Sequence, residues 1–278
     1  MHVKLSHAVL ALLVLMMLSS GTVFAEGKVP QRIVSVTPNI TENLFALGVG
    51  DRVVGVTSWC TYPPEATERT VIGDAFSLNM EVLLSLQPDI VIGDSNLVAG
   101  HIEQLQSLGI EVASTDPTTV EEVIESMVTL GDLVGAGEAG RALAAQMRAR
   151  LAELTAKVPA GSSKRVFVEI WYEPVMTAGP GSFLDELINL AGGENIAADT
   201  GQAWPQLSEE QVLARDPEVV ILTNFNMEEA LQRPAWQGLT AYQTGAVYEV
   251  NPDLYVRGTP RLLDGLAELI HLIHGLEL

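Results

Sequence analysis

Two segments of this chain, nearly half its length apart, carry the same pattern of residues. Residues 79–92 read NMEVLLSLQPDIVI and residues 208–221 read SEEQVLARDPEVVI, so the glutamate, the proline and the final isoleucine of one segment align with those of the other. Each segment has the pattern of a helix, a tight turn at the proline and a buried strand. An internal repeat of this length predicts two similar lobes rather than a solenoid of short repeats.

Short β-branched runs alternate with helical patterns in both halves of the chain. In the first half, residues 32–36 have the pattern of a buried strand, and Thr37 and Pro38 then supply the cap and the first residue of a helix. In the second half, residues 164–170 and 218–223 are strand patterns that alternate with helical ones. This rhythm is typical of the α/β class and predicts two doubly wound lobes with mainly parallel sheets and helices on both faces.

Between the halves, residues 118–158 carry a helical pattern that begins with a threonine cap and an acidic first turn. Apolar residues recur at helical spacing on both sides of residues 135–137, which read Gly-Ala-Gly and break or bend the helix. The pattern favours a long helix, kinked or in two parts, that joins the lobes; two ordinary helices within one domain are the alternative. We therefore expect an N-terminal α/β lobe at 26–117, a linking helix at 118–158 and a C-terminal α/β lobe at 159–278.

Residues 1–25 have the features of a secretory signal peptide. Lys4 precedes an apolar run at residues 8–17, and small residues then lead to Ala25. We expect cleavage after Ala25 and a soluble protein in the periplasm. An uncleaved membrane anchor is the alternative, but the apolar run is too short to span a bilayer comfortably. No cysteine lies near the cleavage point, which disfavours a lipid anchor.

The chain is acidic, with 35 Asp and Glu against 15 Lys and Arg and a formal net charge of −20. This charge argues against nucleic acid and anionic membrane surfaces as partners. We expect a monomer with no nucleic-acid partner and no direct membrane insertion. Cys60 is the only cysteine, so an internal disulfide is excluded. A partly buried thiol is the favoured interpretation of Cys60, and a nucleophile is the alternative.

Aromatic and polar side chains gather in five loops that follow predicted strands or precede predicted helices. In a two-lobed α/β protein such loops surround the cleft where ligands bind. Aromatic walls suit a large planar or macrocyclic ligand, and local packing of each tryptophan is the alternative. The predicted ligand-binding residues are Trp59, Tyr62, Phe76, Trp171, Tyr172, Trp204, Asp253, Tyr255 and Arg257.

Motifs for catalysis or metal binding are missing from the sequence. There is no G-x-S-x-G, no H-E-x-x-H and no phosphate loop. His271 and His274 have a chelating spacing, but the helix dipole alone favours histidine near a helix C-terminus. We expect no catalytic residue, no metal site and no cofactor. Glu81 and Glu210 begin equivalent helices, where each either stabilises a helix N-terminus or grips a basic side chain of a two-fold transporter.

Several motifs together resemble one known family over essentially the whole mature chain. They are Arg32-Ile33-Val34-Ser35-Val36-Thr37-Pro38, Tyr62-Pro63-Pro64, Asn79-Met80-Glu81, Gln87-Pro88-Asp89, Gly192-Gly193-Glu194-Asn195-Ile196, Trp204-Pro205-Gln206, Gln211-Val212-Leu213-Ala214-Arg215 and Pro260-Arg261. The chain resembles the periplasmic cobalamin-binding proteins of the BtuF type, within the helical-backbone class of ABC-importer binding proteins. Trp204-Pro205-Gln206 with the helix that follows is the more specific cobalamin-like signal.

The resemblance implies a function and a set of residues. It implies a protein that captures a corrinoid between two α/β lobes joined by a long helix and delivers it to the membrane permease of an ABC importer, with the corrinoid as transported ligand rather than cofactor. Trp59 and Trp204 would form aromatic walls on opposite lobes, and Asp253 and Arg257 would lie near the polar periphery of the ligand. Glu81 and Glu210 would dock onto the transporter.

The sequence departs from the family at aromatic positions of both lobes. Two of these positions are Ala75 and Asp94 here, and the family aromatics of the second lobe fall near Ile170 and Met176, beside Trp171 and Tyr172. Haem or a ferric siderophore is therefore an alternative ligand for the same kind of carrier. A periplasmic hydrolase that uses Cys60 or an acid pair is the alternative from another class, and a sensor that binds a ligand without transport is a third.

Overall fold

The computed structural model describes residues 29–74, 76–161, 163–224 and 227–277. The predicted signal peptide and its cleavage after Ala25 lie outside the described residues, as does Ala75. Within the described part of the chain, no helix is both long and apolar enough to cross a bilayer.

The first lobe is built on a parallel sheet whose described strands follow the order β3-β2-β1-β4-β5. The strands are β1 (Ile33–Ser35), β2 (Val53–Val56), β3 (Thr70–Val71), β4 (Ile90–Gly93) and β5 (Glu111–Ser114), and the helices are α1 (Pro38–Ala46), α2 (Met80–Ser85), α3 (Ser95–Val98) and α4 (Ile102–Ser107). Two separate apolar cores cover the two faces of the sheet, so β1 and β4 are buried on both sides. This is the N-terminal lobe.

The predicted linking segment forms two helices, α5 (Val120–Leu133) and α6 (Gly137–Ala156). Thr119 and Glu122 close α5 at its N-terminus as a capping box. Val123 of α5 packs into the core of the second lobe, whereas Leu130 packs into the core of the first lobe. Helix α5 therefore joins the two lobes.

Helix α6 folds back along α5 instead of extending it. Gly135 adopts a left-handed conformation with φ +69°, which lets the chain reverse. Arg148 of α6 then pairs with Glu121 and, at 2.8 Å, with Glu125, both near the start of α5. A Cβ atom at Gly140 would lie 2.4 Å from the carbonyl oxygen of Met127, so this close antiparallel packing requires glycine. The linking helix is thus in two antiparallel parts, and the lobe boundaries at 117 and 159 stay a prediction.

The second lobe repeats the plan with a parallel sheet whose described strands follow the order β7-β6-β8-β9. The strands are β6 (Lys164–Glu169), β7 (Gly193–Asn195), β8 (Val219–Leu222) and β9 (Val247–Glu249), and the helices are α7 (Phe183–Leu190), α8 (Glu209–Arg215), α9 (Met227–Gln232), α10 (Thr240–Thr244) and α11 (Leu262–His274). Apolar cores again cover both faces. This C-terminal lobe and the N-terminal lobe confirm the predicted α/β class with parallel sheets.

The sequence repeat corresponds to a structural one. Gln87 and Asp216 end helices α2 and α8 with left-handed φ angles of 46° and 41°, and a proline follows each. The Nε atom of Arg32 donates to the carbonyl of Leu86 at 2.7 Å, and the Nε atom of Arg165 donates to that of Arg215, the residue that aligns with Leu86, at 3.2 Å. Each lobe therefore connects a strand, a helix end and a turn in the same way.

Candidate functional site

A cleft of about 830 Å³ lies between the lobes at the carboxyl ends of the strands. From the N-terminal lobe, residues 37–39 after β1 and residues 94–97 after β4 line it. The strand order of the sheet reverses between β1 and β4, and doubly wound sheets bind ligands at such a point. The C-terminal lobe contributes Phe183, Trp204 and the loop that follows β9.

Exposed aromatic rings face the cleft from both lobes. Trp59 and Phe76 form an edge-to-face pair in the N-terminal lobe, with ring centroids 5.9 Å apart. Ser58 N donates to the carbonyl of Gly73 at 2.9 Å and so ties the loops that carry these rings together. Trp59, Phe76 and Trp204 are 52%, 81% and 45% exposed, so the cleft offers apolar surface to a ligand.

The loop that carries Trp204 is held by main-chain hydrogen bonds. Gly179 N donates to the carbonyl of Ala203 at 2.9 Å, and Thr177 N donates to that of Pro205 at 3.1 Å. These bonds fix the backbone on both sides of the indole. Trp204 is therefore presented on a rigid loop opposite the Trp59–Phe76 pair.

Asp253 and Arg257 lie in the cleft and join an ion network that crosses the seam between the lobes. Arg257 Nη2 lies 2.8 Å from Asp253 Oδ1, and Arg257 Nη1 donates to Glu42 Oε1 at 2.7 Å. Arg261 donates to both carboxylate oxygens of Glu42, at 2.9 and 2.7 Å. Beside it, Asn43 Nδ2 donates to the carbonyl of Gly258 at 3.0 Å. A buried carboxylate of α1 thus binds two arginines of the other lobe.

Tyr62 lies on the opposite side of this ion network, outside the cleft. Its ring stacks on the guanidinium of Arg261, with 3.8 Å between the guanidinium carbon and the ring centroid. Together with Glu42, Glu65 and Arg69 it lines a second pocket of about 770 Å³, which we call the seam crevice. The structure therefore does not bring Tyr62 together with the aromatic rings of the cleft.

Trp171 and Tyr172 line a third, smaller pocket of about 390 Å³ beside Asn224, at the reversal point between β6 and β8. The Tyr172 hydroxyl donates to Glu209 at 2.9 Å, and Arg233 covers its ring at 3.4 Å. Burial, followed by the hydrogen bond to Glu209, raises the pKa of Tyr172. These two predicted residues are thus apart from the cleft.

Tyr255 does not line any of these pockets, which corrects its prediction as a ligand-binding residue. Its side chain is fully buried in the core of the C-terminal lobe, and its hydroxyl donates to Glu268 at 2.7 Å. Burial, followed by that hydrogen bond, raises the pKa of Tyr255. The loop after β9 forms a short 3₁₀ helix at Pro252–Leu254, which directs Asp253 to the cleft and Tyr255 inwards.

Glu81 and Glu210 are exposed in the first turns of α2 and α8. Asn79 caps α2 by accepting from Val82 N at 3.1 Å, and Ser208 caps α8 within a capping box. A hydrogen bond from the Ser208 side chain lowers the pKa of Glu210. The equivalent placement predicted from the repeat is present, and the docking role stays a prediction.

Glu42 and Asp116 were not predicted from the sequence as part of the site. Asp116 lines the cleft and follows β5, so its position after a strand was a usable signal. Glu42 acts through arginines more than 200 positions away, and no local pattern reveals such a contact. Within the described residues, no group of three or more histidine, cysteine or acidic side chains could hold a metal ion.

The comparisons with known proteins agree on one family. The sequence profile of the periplasmic binding protein family matches residues 33–254. The chain is 34% identical over 270 residues to a cobalamin-binding protein of Halobacterium salinarum, a match that covers 92% of this chain and 73% of that protein. It is also 34% identical over 257 residues to the uncharacterized ABC transporter substrate-binding lipoprotein YvrC of Bacillus subtilis, covering 89% and 81% of the two chains.

Solved structures with the same fold include a vitamin B12 binder and a heme binder. The periplasmic vitamin B12 binding protein BtuF of Vibrio cholerae superposes with a TM-score of 0.78 at 30% identity, covering 88% of this chain and 97% of that one. The periplasmic heme-binding protein RhuT of Roseiflexus sp. RS-1 superposes with a TM-score of 0.77 at 29% identity, covering 88% and 98%.

Proposed function

The chain belongs to the periplasmic binding protein family, and from that premise we propose that it captures a cobalamin-type corrinoid and delivers it to an ABC importer. The names of the relatives from Halobacterium and Vibrio support the corrinoid, and the name of the Bacillus relative supports the importer. The protein acts as a carrier, so the corrinoid is cargo and no catalytic step is involved.

The cleft between the lobes is the observation that carries the proposal. Trp59 and Phe76 face it from one lobe and Trp204 from the other, so a flat macrocycle can be held between rigid apolar surfaces. Aromatic rings bury a large contact area at a small cost in side-chain entropy. Asp253 and Arg257 sit at the polar edge of the cleft, where the amide side chains of a corrinoid would lie.

Haem is the second candidate ligand, because haem-binding proteins share this fold. Haem iron in proteins is held by histidine, cysteine, methionine or tyrosine. Among the described residues that line the cleft there is none of these four types. Arg257 is the one basic residue in that lining, and its guanidinium is already paired with Glu42 and Asp253. The cleft therefore favours the corrinoid over haem with its carboxylates.

Export and docking complete the proposal. The signal-peptide features of residues 1–25 and the periplasmic family support a soluble protein in the periplasm, cleaved after Ala25. Glu81 and Glu210 each present a carboxylate at the start of an equivalent helix, one in each lobe, as two-fold docking onto a permease would require. The protein works as a monomer.

Calorimetric titration of the mature protein with cyanocobalamin tests this function, with haemin and a ferric siderophore as the other two ligands. We expect one-to-one binding of cyanocobalamin and no comparable heat from the other two. Binding of haemin or the siderophore without binding of cyanocobalamin would keep the carrier role but identify a different ligand.

A further inference from the structure

The charged side chains that line the cleft are acidic, apart from one arginine that belongs to the ion network. Asp94, Asp116 and Asp253 are the acidic residues of the lining, and Arg257 is its basic residue among the described residues. Arg257 is only 16% exposed. Whether the cleft presents a positive charge to a ligand therefore depends on what holds this guanidinium.

Both ends of the Arg257 guanidinium are occupied. Nη1 donates to Glu42 Oε1 at 2.7 Å, and Nη2 lies 2.8 Å from Asp253 Oδ1. Glu42 is 4% exposed and does not line the cleft, so it acts on the cleft from behind Arg257. A charge that is paired with two carboxylates in a partly buried site has little attraction left for a third.

The Glu42 carboxylate is itself fixed in place. Arg261 donates to both of its oxygens, and the ring of Tyr62 covers the other side of the Arg261 guanidinium at 3.8 Å. Bidentate pairs of arginine and carboxylate combine charge with fixed geometry. Glu42 cannot turn away to release Arg257 without breaking these bonds.

We propose that Glu42 is a specificity-determining residue that makes the cleft select ligands with a periphery of amides over ligands with carboxylates. With Arg257 held by Glu42 and Asp253, the other charged groups of the lining are Asp94 and Asp116. Each already accepts one backbone hydrogen bond through Oδ1, from Asn96 N and from Ser95 N, and is negatively charged. Primary amides can donate hydrogen bonds to these carboxylates, whereas a carboxylate meets like charge and desolvation without a partner. This inference rests on the proposed function and names the chemical form of the corrinoid.

Glu42→Gln tests the role of this residue. Glutamine keeps the shape of the side chain and can still accept a bond from Arg261, but it no longer neutralises Arg257. The probes are cyanocobalamin and its monocarboxylic acid, in which one peripheral amide is hydrolysed. We expect the wild-type protein to prefer the amide by at least about tenfold, and E42Q to reduce that preference at least about fivefold through tighter binding of the acid.

Two further variants serve as controls. Glu65→Gln removes one negative charge from the seam crevice without touching Arg257 and should keep the wild-type preference. Adding Arg257→Gln to E42Q should restore the preference, because the released cation is then gone. If E42Q does not fold, as judged by its thermal unfolding, E42Q with Arg261→Gln removes one charge of each sign and leaves Arg257 paired with Asp253 alone. The preference for the amide should then still fall, but by less than in the single variant.

An unchanged preference in folded E42Q, or equal binding of amide and acid by the wild-type protein, would overturn the role of Glu42 while leaving the corrinoid carrier intact. A wild-type protein that binds neither corrinoid would overturn the proposed function and this inference together.

Discussion

Trp59 and Trp204 belong to different lobes, yet both indoles reach the same cleft with about half of their surface exposed. Trp171 is equally exposed but lies in a separate pocket. Exposure alone therefore does not identify a tryptophan of the cleft, because Trp171 lines the pocket beside Asn224 instead.

We predict that Trp59→Ala and Trp204→Ala each weaken corrinoid binding by about tenfold, or about 1.4 kcal/mol, because each removes one apolar wall. Calorimetry with cyanocobalamin measures the effect. Trp171→Ala is the matched control and should leave the affinity unchanged. Wild-type affinity in both cleft variants would refute the assignment of the site.

The candidate residues of the cleft were predicted from their position after strands. That rule placed Trp59, Trp204, Asp253 and Arg257 in loops that the structure brings to one cleft, and whether they bind the ligand stays a prediction. The rule could not tell which way a loop residue points. Tyr255 is two positions from Asp253 and is fully buried, because the turn between them rotates its side chain into the core.

The antiparallel pair α5 and α6 depends on close contact between backbones. Gly140 approaches the carbonyl oxygen of Met127 so closely that a methyl group has no room, and Gly131 of α5 lies against Gly140. The helices could not pack at this distance with larger side chains at the crossing.

We predict that Gly140→Ala lowers the free energy of unfolding by about 1–3 kcal/mol, since the added methyl group must push the helices apart and this cost exceeds the gain in helix propensity. Chemical denaturation followed by circular dichroism measures it. Gly238→Ala is the control, because a Cβ atom there meets nothing within 4 Å. A stability for G140A equal to that of the wild type would show that the helices adjust freely.

The sequence allowed the α/β class and the repeated helix–turn–strand unit to be predicted, and it left open whether the linking helix is kinked or in two parts. It did not reveal that α6 turns back along α5. The apolar stripe of a helix shows that one face is buried but not which partner buries it. The direction of α6 follows from the left-handed conformation of Gly135 and from the pairing of Arg148 with the start of α5.

For the whole molecule, the repeat places one exposed glutamate at the start of α2 and one at the start of α8. Each helix is already capped by another side chain, Asn79 or Ser208, so neither glutamate is needed as a cap. Neither carboxylate is thus required as the cap of its helix, which is compatible with the predicted docking role.

We predict that Glu81→Arg combined with Glu210→Arg abolishes uptake but spares corrinoid binding, because like charges would then face the basic side chains of the permease. Uptake into vesicles that contain the importer, measured beside calorimetry, separates the two effects. Glu103→Arg with Glu194→Arg is the matched control, since it also changes one exposed glutamate in each lobe. Normal transport by the E81R/E210R variant would show that these two glutamates do not dock onto the permease.

Helix α5 is embedded in the cores of both lobes, and this has a mechanical consequence. A movement of one lobe is passed to the other through this stiff helix as well as through the Glu42 ion network, so the cleft does not open on a flexible hinge. Widening the gap would strain the buried contacts of Val123 and Leu130 at the two ends of that helix. We therefore expect release of the ligand to require a partner that contacts both lobes and supplies the free energy to separate them.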